Sequence, residues 1–187
     1  MTTDAVADLK VSIEPFDPAK HDRAAFSCGN ARIDNFIKRT AKKHQQGDFT
    51  RVWVAVSPKR SRVLGYYAIN SHAIVAADLP SELTKNAPNH GYVPAAYLSI
   101  IGVDTAAQGR GLGSVLLANA CKRIATVSEH LGVAVIVLDV LDDGDTEAMK
   151  KRQRFYANHG FTSFPSRPAR MFIPVKAIRD TIWRHPG

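Results

Sequence analysis

A chain of 187 residues is long enough to bury one core and too short for two comfortable ones. Its 45% apolar and 22% charged residues exclude a disordered, collagenous or disulfide-scaffold chain. A net charge of +8 favours polyanionic partners such as nucleic acid, anionic lipid or a phosphate-rich cofactor, without choosing among them.

Cys28 and Cys121 are too few to staple the fold and are expected to be reduced thiols in a cytoplasmic protein. Met1 to Lys10 lacks the basic start and apolar run of an export signal. The longest apolar stretch, Val133 to Leu141, contains Asp139 and falls short of the ~18 residues a membrane span needs, so no membrane is expected.

Taken in order, Val11 to Phe16 predicts a first strand. Asn30 then caps an amphipathic helix that ends near Gly47, its inner face marked by Ile33, Phe36, Ile37 and Ala41. Arg51 to Val56 and Val63 to Ala73 predict an antiparallel hairpin around a Pro58 to Arg62 turn. Asp78 to His90, with Pro80 and Pro88, predicts a connection around a short helix, and Ala95 to Val103 another strand. Leu112, Val115, Leu116, Ala120, Ile124 and Val127 mark one face of a long helix from Gly111 to about Glu129. Val133 to Leu141 predicts the most central strand, covered on both faces. Glu147 to His159 predicts the last helix, stopped by Gly160, and Phe161 to Phe164 and Arg170 to Val175 are closing strands. Residues 1–187 are therefore expected to form a single domain with its core at about 11–175, a mixed sheet with helices on both faces.

The chemistry is concentrated in Val103-Asp104-Thr105-Ala106-Ala107-Gln108-Gly109-Arg110-Gly111-Leu112-Gly113-Ser114, a strand end, a glycine-rich loop and a helix start. The first turn of a helix leaves unpaired N–H groups and partial positive charge, and glycines let a phosphate reach them. No lysine precedes Ser114, so this is not a Walker loop, and Ser114 stands where a dinucleotide fingerprint needs its third glycine. The same glycines would also serve a tight strand-to-helix turn.

Gln108-x-x-Gly111-x-Gly113 resembles the [QR]-x-x-G-x-[GA] signature with which GNAT acetyltransferases bind the pyrophosphate of acetyl-CoA. Phe155-Tyr156-Ala157-Asn158-His159-Gly160-Phe161 is similar to the F-Y-x-x-x-G-F ending of that family, and the order of elements over about 11–175 agrees with it. The resemblance implies an α/β (α+β) GNAT fold with a mixed, mostly antiparallel central sheet, flanked by helices on both faces and splayed at its central strands. It implies acetyl-CoA as co-substrate. The cofactor would be bound by Gln108, Gly109, Arg110, Gly111, Leu112, Gly113 and Ser114 and by backbone N–H groups of Ile101, Gly102 and Val103. Tyr156 would be the acid that protonates the departing CoA thiolate.

Phe26-Ser27-Cys28-Gly29-Asn30, Ile33-Asp34-Asn35-Phe36-Ile37, Gly65-Tyr66-Tyr67 and Arg170-Met171-Phe172-Ile173-Pro174 further resemble the acetyltransferase toxins of bacterial toxin-antitoxin pairs. These acetylate the α-amino group of aminoacyl-tRNA. The group often carries Gly-Arg-Leu before its Val-Asp, whereas Ser99-Ile100-Ile101-Gly102 precedes Val103-Asp104 here, a departure that bears on the acceptor and not on acetyl transfer. What the resemblance implies is a homodimer, a small ribbon-helix-helix antitoxin as partner, and a tRNA-facing surface. Of the basic clusters, Lys38, Arg39, Lys42 and Lys43, and Lys150, Lys151 and Arg154, are the candidates for that surface; Lys59, Arg60 and Arg62 form a third.

No histidine and carboxylate pair at short spacing marks a general base, and none of the seven histidines makes a metal pair at helical spacing, so no metal is expected. A missing base favours an acceptor of low basicity. A lysine amine near pKa ~10.4 costs ~3–4 kcal/mol more to deprotonate than an α-amine near ~7.7–8.0, and an aminoacyl ester lies lower still. The alternatives are a GNAT enzyme acting on a small amine or a protein N-terminus, and a non-catalytic acyl-CoA-binding sensor.

Overall fold

The computed structural model describes residues 10–57 and 61–184; Met1 to Leu9 and the Pro58, Lys59 and Arg60 part of the expected turn lie outside them. Seven strands form one sheet in the order β1-β2-β3-β4-β5-β7-β6. They are β1 (Ser12–Pro15), β2 (Arg51–Val56), β3 (Val63–Val75), β4 (Tyr92–Val103), β5 (Val135–Asp139), β6 (Thr162–Phe164) and β7 (Arg167–Pro174). The helices are α1 (Ala31–Asn35), α2 (Ala41–Gln46), α3 (Ser81–Thr84), α4 (Leu112–Val127), α5 (Thr146–Asn158) and α6 (Val175–Arg184). β4 and β5 run parallel, joined through α4, because a parallel pair needs a crossover; β1-β2, β2-β3, β5-β7 and β6-β7 are antiparallel.

The central strand is β4, with three strands on either side, and not the Val133 to Leu141 segment expected there. An apolar run reports burial on both faces, which any interior strand has; pairing alone decides which one is central. β5 is also shorter than that run, at Val135–Asp139.

The chain divides into two compact units, residues up to Asn70 with Leu98–Ala120, and Ser71–Tyr97 with the residues from Cys121 onward. In the first, Asn30 caps α1 by accepting from the N–H groups of Arg32 and Ile33 at 3.1 and 3.2 Å. The single helix expected to Gly47 is interrupted by a π-helical stretch, Phe36–Thr40. Arg23 Nε donates to the Lys38 carbonyl in that stretch at 3.3 Å. Ile33, Phe36, Ile37 and Ala41 bury the predicted face against Phe26, Val52, Val54, Tyr66 and Ala68. The opposite face of β3 meets α4. A Cβ on Gly65 would lie 2.8 Å from Leu116 Cδ1, and the Tyr67 hydroxyl donates to Asn119 Oδ1 at 2.7 Å. Alternation along β3 thus puts helices on both faces.

The second unit packs Ile74, Leu79, Val93, Ala95, Val135, Val137, Phe164 and Phe172 together. α5 is capped by Asp145, whose carboxylate accepts from the Ala148 N–H at 3.0 Å. β7 ends at Pro174, one residue before the expected limit, and Val175 opens α6, a helix the sequence analysis did not anticipate. Val175 and Ile178, three apart, are buried at its start.

Candidate active site

Between β4 and α4 the backbone makes two left-handed excursions, at Gly109 (φ 73°) and Gly111 (φ 78°), a conformation that a Cβ penalises. Nothing lies within 4 Å of where a Gly109 Cβ would be, so the turn is open on that side. Gly111 closes the helix start by accepting from Ser114 and Val115 N–H at 3.1 and 3.2 Å. That leaves the first-turn N–H groups of Leu112 and Gly113 without helical acceptors beside the exposed backbone of Gln108, Gly109, Arg110 and Gly111. Aligned dipoles and free donors make an anion cradle. The Leu112 side chain is buried, so this residue can serve an anion only through its N–H.

Gln108 also has a structural use. Its side-chain amide donates to the carbonyls of Cys28 and Val103, both at 3.0 Å, tying the cradle to the segment before α1 and to the end of β4. Asp104, quoted in the motif but assigned no role from the sequence, is 1% exposed. It accepts from Ser27 N–H at 3.1 Å, Ala106 N–H at 3.0 Å and Arg62 Nη2 at 3.2 Å, so it fixes the path into the loop. An Asp one residue before a turn is an Asx-cap signal, and that could have found it.

The end of β4 presents its backbone selectively. Asp104 N–H donates to the Leu64 carbonyl at 2.8 Å and the Gly102 carbonyl faces Gly65, so these residues turn toward β3. By alternation the N–H groups of Ile101 and Val103 point the other way. Residues paired with β5 stop at Tyr97, and β4 continues beyond them. Gly102 contributes its lack of a side chain, since a Cβ there would meet Ile33 Cγ2 at 2.7 Å.

Tyr156 sits in the last turn of α5, half-buried, its ring edge-on to Phe155 at 5.2 Å and to Phe161 at 6.0 Å. Gly160 (φ 88°) ends the helix in the left-handed region and turns Phe161 back to donate its N–H to the Tyr156 carbonyl at 3.1 Å. This is the physical content of the F-Y-x-x-x-G-F spacing. The Tyr156 hydroxyl has no hydrogen-bond partner among the described residues. Burial pushes its pKa up to about 12, against a smaller opposing pull from Arg152, so it carries its proton throughout the neutral range.

One polar cluster escaped the sequence because its members are spread over four strands. Asp139, at the end of β5, is held by Arg170 through Nε and Nη2 at 2.8 and 2.9 Å and by the Tyr97 hydroxyl at 2.8 Å. His72 lays its ring 5.3 Å from that of Tyr97. Of the basic clusters, Arg39, Lys42, Lys43, Lys150, Lys151 and Arg154 are exposed, and Lys38 is half-buried. Lys150 pairs with Glu147 at 2.9 Å, and with Arg154, Phe161 and Met171 it lines an open cavity of about 610 Å³. Among the described residues no three His, Cys, Asp or Glu side chains group as metal ligands.

A strand end with outward N–H groups runs through a glycine turn into a helix start suited to an anion, on a seven-stranded mixed sheet. Residues 48–163 match the family model described as the acetyltransferase (GNAT) domain, and the chain belongs to that family. It is 47% identical over 168 residues to the probable toxin TacT of Sinorhizobium fredii (strain NBRC 101917 / NGR234), covering 90% of this chain and 93% of that one. It is 32% identical over 162 residues to the tRNA-acetylating toxin of Mycobacterium tuberculosis (strain ATCC 25618 / H37Rv), covering 86% and 90%. Among solved structures, AtaT complexed with acetyl-methionyl-tRNAfMet superposes with a TM-score of 0.80 at 24% identity, covering 92% of this chain and 99% of that one, a likeness of fold.

Proposed function

We propose that residues 1–187 act as one acetyl-CoA-dependent N-acetyltransferase domain whose acceptor is the α-amino group of aminoacyl-tRNA, so that the protein is a toxin that blocks translation. The observation that supports a pyrophosphate site is the turn from Gln108 to Gly113, with left-handed glycines at 109 and 111, open space beside Gly109 and first-turn donors without helical acceptors. The Ile101 and Val103 N–H groups are assigned to the thioester arm of the cofactor and to the developing oxyanion. Tyr156 is assigned as the acid for the CoA thiolate, consistent with a phenol that keeps its proton at neutral pH. The acceptor class is supported by the tRNA-acetylating relative and by the net charge of +8. Such an acceptor puts the reaction in the cytoplasm, and a toxin of this kind requires an antitoxin partner, for which a small ribbon-helix-helix protein is the candidate; a homodimer remains part of the proposal.

The test is transfer of label from [¹⁴C]acetyl-CoA to a pool of charged tRNA. Label should appear in RNA and be released as N-acetyl amino acid by mild base, which cleaves the aminoacyl ester. Label that enters a small amine or a protein N-terminus while charged tRNA stays unlabelled would overturn the acceptor, and cofactor binding without any transfer would leave a sensor.

A further inference from the structure

We propose that His72 takes the proton from the acceptor's amine, and that Tyr97, Asp139 and Arg170 hold its ring in place for that step. The proposal rests on the aminoacyl acceptor above. Around His72 the other polar groups are already committed. Asp139 accepts from Arg170 Nε on one oxygen and from Arg170 Nη2 and the Tyr97 hydroxyl on the other. The Arg170 guanidinium also lies over the Tyr97 ring, 5.9 Å from its centre. The ring of Tyr97 is thereby clamped, and His72 rests against it at 5.3 Å, tilted by 32°. Neither nitrogen of His72 has a hydrogen-bond partner among the described residues, and the side chain is only half-buried. It is the one imidazole or carboxylate of the cluster that makes no hydrogen bond among the described residues.

The position along the chain suits the role. Tyr97 is the last β4 residue paired with β5 and directly precedes the Leu98 to Val103 segment whose N–H groups are assigned to the thioester.

Protonation suits it too. Burial, and then the charge of Arg170, lower the pKa of His72 below its usual value, with Asp139 opposing them, so the ring is neutral at pH 7. A base this weak also selects its substrate. With its pKa held below the usual histidine value, it is better matched to an α-amine, and better still to the less basic amine of an aminoacyl ester, than to a lysine. In the transfer the amine nitrogen bonds to the thioester carbonyl carbon and gives its proton to His72. The C–S bond breaks as the sulfur takes the Tyr156 proton. Water then removes the proton from His72 and restores that of Tyr156.

The experiment is single-turnover acetylation of a charged tRNA by the full chain and by His72→Gln, between pH 6 and 9.5, with acetyl-CoA affinity and melting temperature measured alongside. At pH 7 the variant should lose about 10²-fold in rate. Its pH profile should change shape, added imidazole should restore part of the rate to His72→Ala, and acetyl-CoA affinity and melting should stay put. A rate within threefold of wild type, or a loss matched by weaker cofactor binding or earlier melting, would sink the base; His72→Asn repeats the test should the glutamine variant not fold. Wild-type protein that acetylates no charged tRNA would sink the acceptor and His72's role with it, whereas wild-type activity with an unaffected variant sinks the His72 role alone.

Discussion

Tyr156→Phe removes one oxygen from a ring whose position is set by Phe155 and Phe161, so packing should survive and chemistry should not. Turnover is expected to fall by about 10²-fold, with the melting temperature and acetyl-CoA affinity unchanged. A variant that melts earlier but turns over normally would make the residue structural. Because burial pushes the phenol up to about 12, wild-type activity should show no alkaline loss assignable to Tyr156 between pH 7 and 10. At Asp104 the expected outcome differs. Asp104→Ala strands the Ser27 and Ala106 N–H groups and breaks the Arg62 pair, which should cost about 2–3 kcal/mol in denaturant unfolding. It should also weaken acetyl-CoA binding through a loosened loop.

The anion cradle is a property of the helix start as a unit, and its glycines can be tested by separating conformation from charge. Gly111 has φ 78°, so Gly111→Ala and Gly111→Asp share backbone strain, but only the aspartate sets a negative charge among the first-turn donors. Calorimetry should find acetyl-CoA affinity lower in Gly111→Asp than in Gly111→Ala; equal affinities would move the pyrophosphate elsewhere. At the other end of α5, Gly160→Ala combines φ 88° with a Cβ 3.2 Å from Ile173 Cδ1. It should destabilise by about 1–2 kcal/mol. It should also lower turnover if Tyr156 is the acid, because the same turn sets Phe161 against the Tyr156 ring.

At the scale of the whole molecule, the charge of +8 predicts tRNA binding that weakens steeply with salt. Replacing Lys42 and Lys43 together by glutamine should flatten the dependence of log K on log salt by about 2 if both reach phosphates. An unchanged slope would remove that cluster from the surface. Acid should also destabilise the fold. His72 has a lowered folded pKa, so the unfolded chain takes up its proton first and stability falls as pH drops below the usual histidine value near ~6.5. Asp139, lowered mainly by its Arg170 hydrogen bonds, contributes stability that is present above the usual aspartate value and lost as pH falls through its depressed one. Melting temperatures between pH 8 and 3 should show the first loss vanish in His72→Gln.

What the sequence determined by itself is local. The Gln108 to Ser114 turn, the Asn30 cap, the faces of α1, α2 and α4, and the Tyr156 to Phe161 ending each depend on neighbours within a few residues, and periodicity and glycine placement record such dependence directly. The rest is pairing at a distance. Which strand lies in the middle, how Asp104 gathers Ser27 and Arg62, and how His72, Tyr97, Asp139 and Arg170 meet on β3, β4, β5 and β7 leave no spacing to read. Their partners are brought together by sheet register, and register is chosen by burial summed over whole strands, which only the folded chain evaluates.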